Sequence, residues 1–159
     1  MASIVVLGAG IGGMSVAYEL RALLGKEHAV TVVGEGEHFS FTPSNPWVAV
    51  GWRQPKDVQI GVRPYLAKKG IGFESTGAAE VLPAENKLRL RDGRELPYDF
   101  LVITTGPRLA FDEVPGLGPE GGFTQSICTT PHAQTAWEAY QEFLKDPGPV
   151  VVGAAAGAS

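Results

Sequence analysis

Ser3-Ile4-Val5-Val6-Leu7-Gly8-Ala9-Gly10-Ile11-Gly12-Gly13-Met14 stands almost at the start of the chain. Ser3–Leu7 is a short apolar run bounded by glycine, the pattern of a central parallel strand buried on both faces. The next apolar positions, Met14, Ala17, Leu20 and Leu24, share one face of a helix, and Gly25 suits its C-terminal stop. Ala29–Val33 is a second, β-branched strand. Strand, turn, helix and strand within about 30 residues predict a βαβ unit, the opening of a doubly wound α/β sheet.

Gly8-Ala9-Gly10-Ile11-Gly12-Gly13 satisfies G-x-G-x-x-G. In that pattern Gly8 permits the sharp turn, Gly10 lets backbone approach a pyrophosphate, and Gly13 lets helix and strand pack closely. Phosphates then meet the free N–H groups and the positive end of the helix. Alone the motif is weak; between a strand and a helix it predicts nucleotide binding. An acidic residue is expected at the end of the second strand, about 20 residues on, to hold ribose hydroxyls. Gly34 occupies that register and Glu35 follows it. Ribose is then held by Glu35 or by backbone at Gly34 and Glu35, unless Glu35 is only a solvated loop charge.

Beyond this unit, Phe39–Pro55 is rich in aromatics and proline, and Asn45-Pro46 suits a helix N-cap and first position. Val62–Lys69 reads as a short helix ended by Gly70, and Gly72–Glu74 as a third strand. From Ala79 to Leu96 the pattern changes to short strands. Asp92-Gly93 marks a hairpin between Lys87–Arg91 and Arg94–Leu96, and hence a small antiparallel β insertion. Phe100–Ile103 is again a buried strand, ending in Thr104-Thr105-Gly106-Pro107. After a glycine/proline loop, Thr130 is the expected cap of a helix starting at Pro131, with Ala133, Trp137, Tyr140 and Leu144 on one face. Val150–Val152 is expected to start a new strand, followed by a second glycine-rich turn, Gly153–Ser159. Strand and turn without their helix cannot bury their surface, so the sequence reads as ending just inside a second dinucleotide-fold domain.

With 159 residues, 44% hydrophobic and 19% charged, the chain can bury one core, or one domain and the start of another. A net charge of −4 gives no electrostatic case for nucleic acid. The single Cys128 excludes an internal disulfide and any thiolate-rich metal site, and no metal is expected. The N-terminus lacks the charged lead and long apolar core of a secretory peptide. No run reaches the ~18–20 apolar residues of a membrane span. A soluble protein of a reducing compartment is the resulting expectation.

Cys128 lies two residues before the expected cap, so its sulfur stands near a helix's positive end, which favours the reactive thiolate. His132 lies in the first turn of the same helix, where the dipole disfavours imidazolium and leaves a ring able to accept a proton. Inert buried cysteine and structural histidine are the bland alternatives.

The order of βαβ unit, antiparallel insertion, strand ending Thr104-Thr105-Gly106 and second glycine turn resembles the FAD domain of the two-dinucleotide-binding-domain flavoproteins. Phe41-Thr42-Pro43-Ser44-Asn45-Pro46-Trp47-Val48-Ala49-Val50-Gly51-Trp52, Thr105–Phe111, Gln125–Thr129 and Gly153–Ser159 resemble the sulfide:quinone oxidoreductase family in particular. The resemblance implies a Rossmann-like FAD-binding domain at 1–112, its β insertion at about 78–98. Residues 113–159 then hold a linker, a helix and the start of the second dinucleotide-fold domain. It implies FAD held by Gly8, Ala9, Gly10, Ile11, Gly12, Gly13, Gly34, Glu35, Thr42, Pro43, Ala78, Thr105, Gly106 and Pro107, with Pro43 and its neighbours beside the isoalloxazine ring. Cys128 becomes one of three redox-associated cysteines, assisted by His132.

By the same resemblance, sulfide attacks a cysteine-borne sulfur bridge, sulfur leaves as polysulfide, and two electrons pass through the flavin to a quinone. The other two cysteines, the quinone pocket and the segments that dock peripherally on the cytoplasmic side of a membrane belong to the part of the family's sequence beyond Ser159. The fragment alone is therefore expected to be inactive; a homo-oligomer is compatible. Two relatives share much of the pattern: the flavoprotein subunit of flavocytochrome c sulfide dehydrogenase, and type II NADH:quinone oxidoreductase, which has no need of Cys128. A nucleotide-binding module without chemistry is the non-enzymatic alternative.

Overall fold

A computed structural model describes residues 1–153. The chain runs β1 (Ser3–Leu7), α1 (Ile11–Leu23), β2 (Ala29–Val33), β3 (His38–Ser40), α2 (Asn45–Ala49), α3 (Pro55–Val58), β4 (Gln59–Gly61), α4 (Arg63–Lys68), β5 (Gly72–Glu74), β6 (Ala78–Leu82), β7 (Lys87–Leu90), β8 (Glu95–Pro97), β9 (Phe100–Ile103) and α5 (Thr130–Phe143). It divides into two compact groups. Met1–Phe39 joins Ile60–Pro107, and Ser40–Gln59 joins the chain from Arg108 onward. The aromatic/proline segment thus groups with the later helix rather than with the strands that flank it in sequence.

In the first group four strands form a parallel sheet in the order β5-β2-β1-β9. The continuous apolar run of β1 is explained by its two covered faces. Alternation sends Val6, with Val30 and Val32 of β2, toward Ala17 of α1 and Leu66 of α4. Val5 and Leu7 point the opposite way, onto Leu88 and Leu90 of the small antiparallel sheet β6-β7-β8 and onto Tyr98, just beyond β8. The insertion thus serves as the second cover of the sheet. Its hairpin turns at Asp92-Gly93 as expected, Gly93 taking φ +87° and the Arg94 N–H donating to Asp92 Oδ1 at 3.0 Å. β3 and β4 make a separate two-stranded pair.

Helix ends depart from the sequence reading by single residues. Leu24 caps α1, and Arg21 carries the terminal carbonyls, donating to Leu24 at 3.0 Å and to His28 at 2.8 Å. Gly25 is therefore not the sole stop. α2 begins at Asn45, with Ser44 at the cap and Pro46 one place further in than expected. Asn45 is fully buried and caps nothing. At α5 the cap is Thr129, whose hydroxyl oxygen accepts from the His132 N–H at 3.2 Å; Thr130 is already helical and buried.

In the second group Val48, Val58 and Ala133 form the core, so α2, α3 and α5 share one apolar seam. Trp137 of α5 lies over Gly51, whose φ is +74°; a Cβ there would fall 2.4 Å from the indole. Tyr140 and Leu144, expected on one helix face with Ala133 and Trp137, are about half exposed, whereas Ala133 is buried. Val150–Val152 forms no strand and is exposed, since a parallel strand needs a sheet neighbour and none is supplied by the described residues. The expected second glycine turn beyond Gly153 lies outside the described residues.

Leu66 is completely buried between helix and sheet. Leu66→Ala is expected to cost about 2–5 kcal/mol of stability, read by denaturant unfolding. A second expectation concerns acid. The Thr76 hydroxyl and N–H, then the Arg94 guanidinium 2.8 Å away, hold the Glu74 carboxyl below the usual carboxylate range. A depressed carboxylate stabilises the fold above the unfolded-state value and loses that contribution as pH falls through the folded one. Glu74→Gln should therefore lower the thermal midpoint near pH 7 and flatten the acid-side loss between about pH 5 and 3.

Candidate functional site

The turn from β1 into α1 is built around one side chain. The Thr104 hydroxyl, at the end of β9, lies 3.0 Å from the Leu7 carbonyl and 3.2 Å from that of Gly8, while the Thr104 N–H donates to Leu7 at 2.7 Å. Gly8 takes φ +118°, and a Cβ there would fall 2.5 Å from the Thr104 carbonyl oxygen. A Cβ at Gly13 would fall 1.9 Å from the Gly8 carbonyl oxygen and 2.6 Å from Thr104 Oγ1. Two of the motif's glycines are thus demanded by close packing within the turn.

Gly10 is different. It is the exposed N-cap of α1, and a Cβ there would meet nothing within 4 Å; at Gly12 only Thr104 Cβ lies that close. No side chain caps α1, and its first turn carries no acid. The helix's unpaired N–H groups and partial positive charge consequently face open space. Nothing in the fold requires Gly10 to lack a side chain, whereas an anion lying against those amides does. Ala9 and Ile11 complete this mouth, Ile11 being 66% exposed.

The ribose register acquires a steric reason. A Cβ at Gly34 would lie 2.6 Å from Ala9 Cβ, so a carboxylate side chain cannot stand there. Glu35 follows it, bridged through its backbone to Thr76 and paired through its carboxylate with Arg91 of the insertion. Ala78 begins β6, half-buried against the second core cluster. Thr105, Gly106 and Pro107 leave β9 exposed to solvent, with Gly106 at φ +74°.

The remaining predicted residues belong to the second group. Thr42 and Pro43 are exposed on a 3₁₀ turn spanning Thr42–Ser44, and the next two residues, Ser44 and Asn45, are buried. Cys128 is exposed immediately before the cap of α5, and its N–H donates to Ser126 Oγ at 3.2 Å. His132 turns inward: its ring centroid is 5.7 Å from that of Phe111, and Nε2 is 3.7 Å from Glu120 Oε1. Its Nδ1 is buried without a hydrogen-bond partner among the described residues. No hydrogen bond joins Cys128 to His132 there. Phe111 and Glu120 also line an open cavity of about 540 Å³ with Arg108, Asp112, Val114 and Leu117.

Sequence reasoning missed the role of Thr104, because the Thr104-Thr105-Gly106 ending marks only where β9 stops. Strand alternation was the available signal: Ile103 is 60% exposed and Thr104 turns in. It also missed Asn45 with Thr130, whose hydroxyl donates to Asn45 Oδ1 at 3.0 Å. No local signal marks a pair 85 residues apart.

A parallel sheet entered through a glycine turn that leaves an open helix mouth defines a dinucleotide-fold protein. The chain belongs to the pyridine nucleotide-disulphide oxidoreductase family, whose model matches residues 2–156. It is similar to the sulfide-quinone reductase of Aquifex aeolicus, at 39% identity over 156 residues, 98% of this chain and 35% of that protein. The mitochondrial sulfide:quinone oxidoreductase of Mus musculus is 31% identical over 148 residues, 88% of this chain and 31% of that one. The X-ray structure of the Aquifex aeolicus sulfide:quinone oxidoreductase superposes with a TM-score of 0.86 at 36% identity, covering 94% of this chain and 34% of the other. The chain thus spans about a third of the length of these relatives.

The roles of the glycines separate by substitution. Gly8→Ala and Gly13→Ala should each destabilise by at least about 1–3 kcal/mol, through φ strain and overpacking respectively. Gly10→Ala should stay within about 1 kcal/mol, the ordinary cost of alanine at an N-cap. Thermal unfolding of the three variants provides the comparison.

Proposed function

We propose that this chain is the FAD-binding first third of an enzyme that oxidises sulfide to sulfur or polysulfide and delivers the electrons to a quinone. The open mouth of α1 at Gly10 carries the nucleotide part of this reading. Similarity to the Aquifex aeolicus sulfide-quinone reductase across 98% of the chain supports the substrate pair.

In this reading the amides of Gly10, Ile11 and Gly12 receive the pyrophosphate, Gly8 and Gly13 hold the turn that presents them, and Ala9 lines its wall. Backbone at Gly34 and the Glu35 carboxylate, oriented by Arg91, hold ribose hydroxyls. Ala78 closes the adenosine side. By the resemblance, Thr42 and Pro43 lie beside the flavin ring, and Thr105, Gly106 and Pro107 lie near the flavin dinucleotide. When bound, FAD supplies the two-electron carrier between sulfide and quinone.

Cys128 presents its thiol at the entrance of α5, free in solvent and held by the Ser126 hydroxyl at its own N–H. His132 manages protons for it. Its Nε2 lies 3.7 Å from Glu120 Oε1, and its Nδ1 is buried without a hydrogen-bond partner among the described residues. Sulfur chemistry at two further cysteines, quinone binding and peripheral attachment to the cytoplasmic face of a membrane fall to the rest of the protein. No helix among the described residues is long and apolar enough to cross a membrane.

Three measurements on the full-length protein test the reading. Gly10→Val should reduce FAD retention at least about tenfold, equivalent to ~1.4 kcal/mol, while the thermal midpoint of the nucleotide-free protein changes little. Anaerobic sulfide should bleach the flavin absorbance, and Cys128→Ser should slow that bleaching by about tenfold or more. Bleaching by NADH but not by sulfide would overturn the substrate assignment.

A further inference from the structure

Among the described residues of the second group, Asn45 is fully buried with both ends of its side chain to satisfy. It is 0% exposed, and Thr130, 3% exposed, donates to its Oδ1 at 3.0 Å. Asn45 Nδ2 has no partner among the described residues, so this bond is the side chain's only one there. An apolar pair of similar volume would fill the space without burying an amide, and replacing both partners that way is commonly near neutral for stability. Burial of a directional bond at this point therefore calls for another reason.

The two elements that the bond joins supply it. Asn45 directly follows the Thr42–Ser44 turn that carries Thr42 and Pro43, and Thr130 opens α5 one residue after its cap. Cys128 lies between two buried anchors, Ser126 on one side and Thr130 on the other. The Ser126 hydroxyl accepts from the Cys128 N–H, and Thr129 accepts from His132 and, through its carbonyl, from Ala133. Val48, Val58 and Ala133 bind α2 to α5 through nondirectional contact, which tolerates sliding. A single hydrogen bond between Asn45 and Thr130 fixes the register that the apolar seam leaves open.

We infer that Asn45 and Thr130 form a buried latch that positions Cys128 and the Thr42–Pro43 turn relative to one another. They are positioning residues, acting through Cys128 rather than on substrate. The inference rests on the proposed role of Cys128 in sulfide oxidation, but the latch itself is measurable without it.

The test compares Thr130→Val, Thr130→Ser and the double variant Asn45→Leu/Thr130→Val in the full-length flavoprotein. Thr130→Val should speed amide exchange in the segment 126–133 about fivefold or more, with Val5 and Val6 unchanged. It should also slow sulfide-driven flavin bleaching by about tenfold. Thr130→Ser, which keeps the hydroxyl, should match the unaltered protein in both. The double variant should recover the thermal midpoint but not the bleaching rate, an outcome that packing alone does not give. Unchanged exchange in Thr130→Val, or a bleaching rate restored by the apolar pair, would overturn the latch. If Thr130→Val does not fold, the serine and double variants decide between the same outcomes. An unaltered protein whose flavin sulfide does not bleach would remove the proposed function instead, and the exchange comparison would still judge the latch.

Discussion

The Thr104 hydroxyl, wedged against the carbonyls of Leu7 and Gly8, is the contact on which the proposed nucleotide site depends. It brings the end of β9 onto the turn between β1 and α1, and leaves space at Gly8 and Gly13 for hydrogen atoms only. The turn is rigid because three backbone segments meet within van der Waals distance. That rigidity points the first amides of α1 outward with no side chain above them. A preorganised set of donors binds an anion without first being ordered, which is why close packing behind the turn and openness in front of it belong together.

Both covers of the parallel sheet follow from the same geometry. Period-two alternation along β1 sends Val6 to the helical side and Val5 and Leu7 to the antiparallel insertion. A strand with no polar face needs something on each side, and the insertion provides one of them. It also returns Arg91 to Glu35, so the element that completes the core orients the residue proposed for ribose.

In the second group directional and nondirectional forces divide the work. Apolar contact among Val48, Val58 and Ala133 holds α2 and α3 to α5, and Trp137 occupies the space left by Gly51. Polar contact at Asn45 and Thr130 then selects one register. Pro43 and Cys128 lie exposed nearby; the resemblance places the first beside the flavin ring and the second among the redox-associated cysteines. Buried order beneath exposed reactivity is the arrangement a precise site requires.

Much of the fold was legible in the residues themselves. Ser3–Leu7, Ala29–Val33 and Phe100–Ile103 fall where the apolar runs placed them, and in β1 burial on both faces is the reason; β9, expected as buried, is instead an edge strand with Phe100 62% and Ile103 60% exposed. The glycine turn and the Asp92-Gly93 hairpin were equally plain, since each depends on a local backbone conformation that few residues adopt. Tertiary structure alone decided the rest. Only folding shows that Ala9 excludes a side chain at Gly34, that Thr104 rather than Thr105 secures the turn, and that Asn45 is a buried partner of Thr130 instead of a cap. It also moved the cap of α5 to Thr129 and left Val150–Val152 unpaired among the described residues. Each of these is settled by which distant atoms arrive at a given place, and local periodicity carries no record of contacts made across 85 or 97 residues.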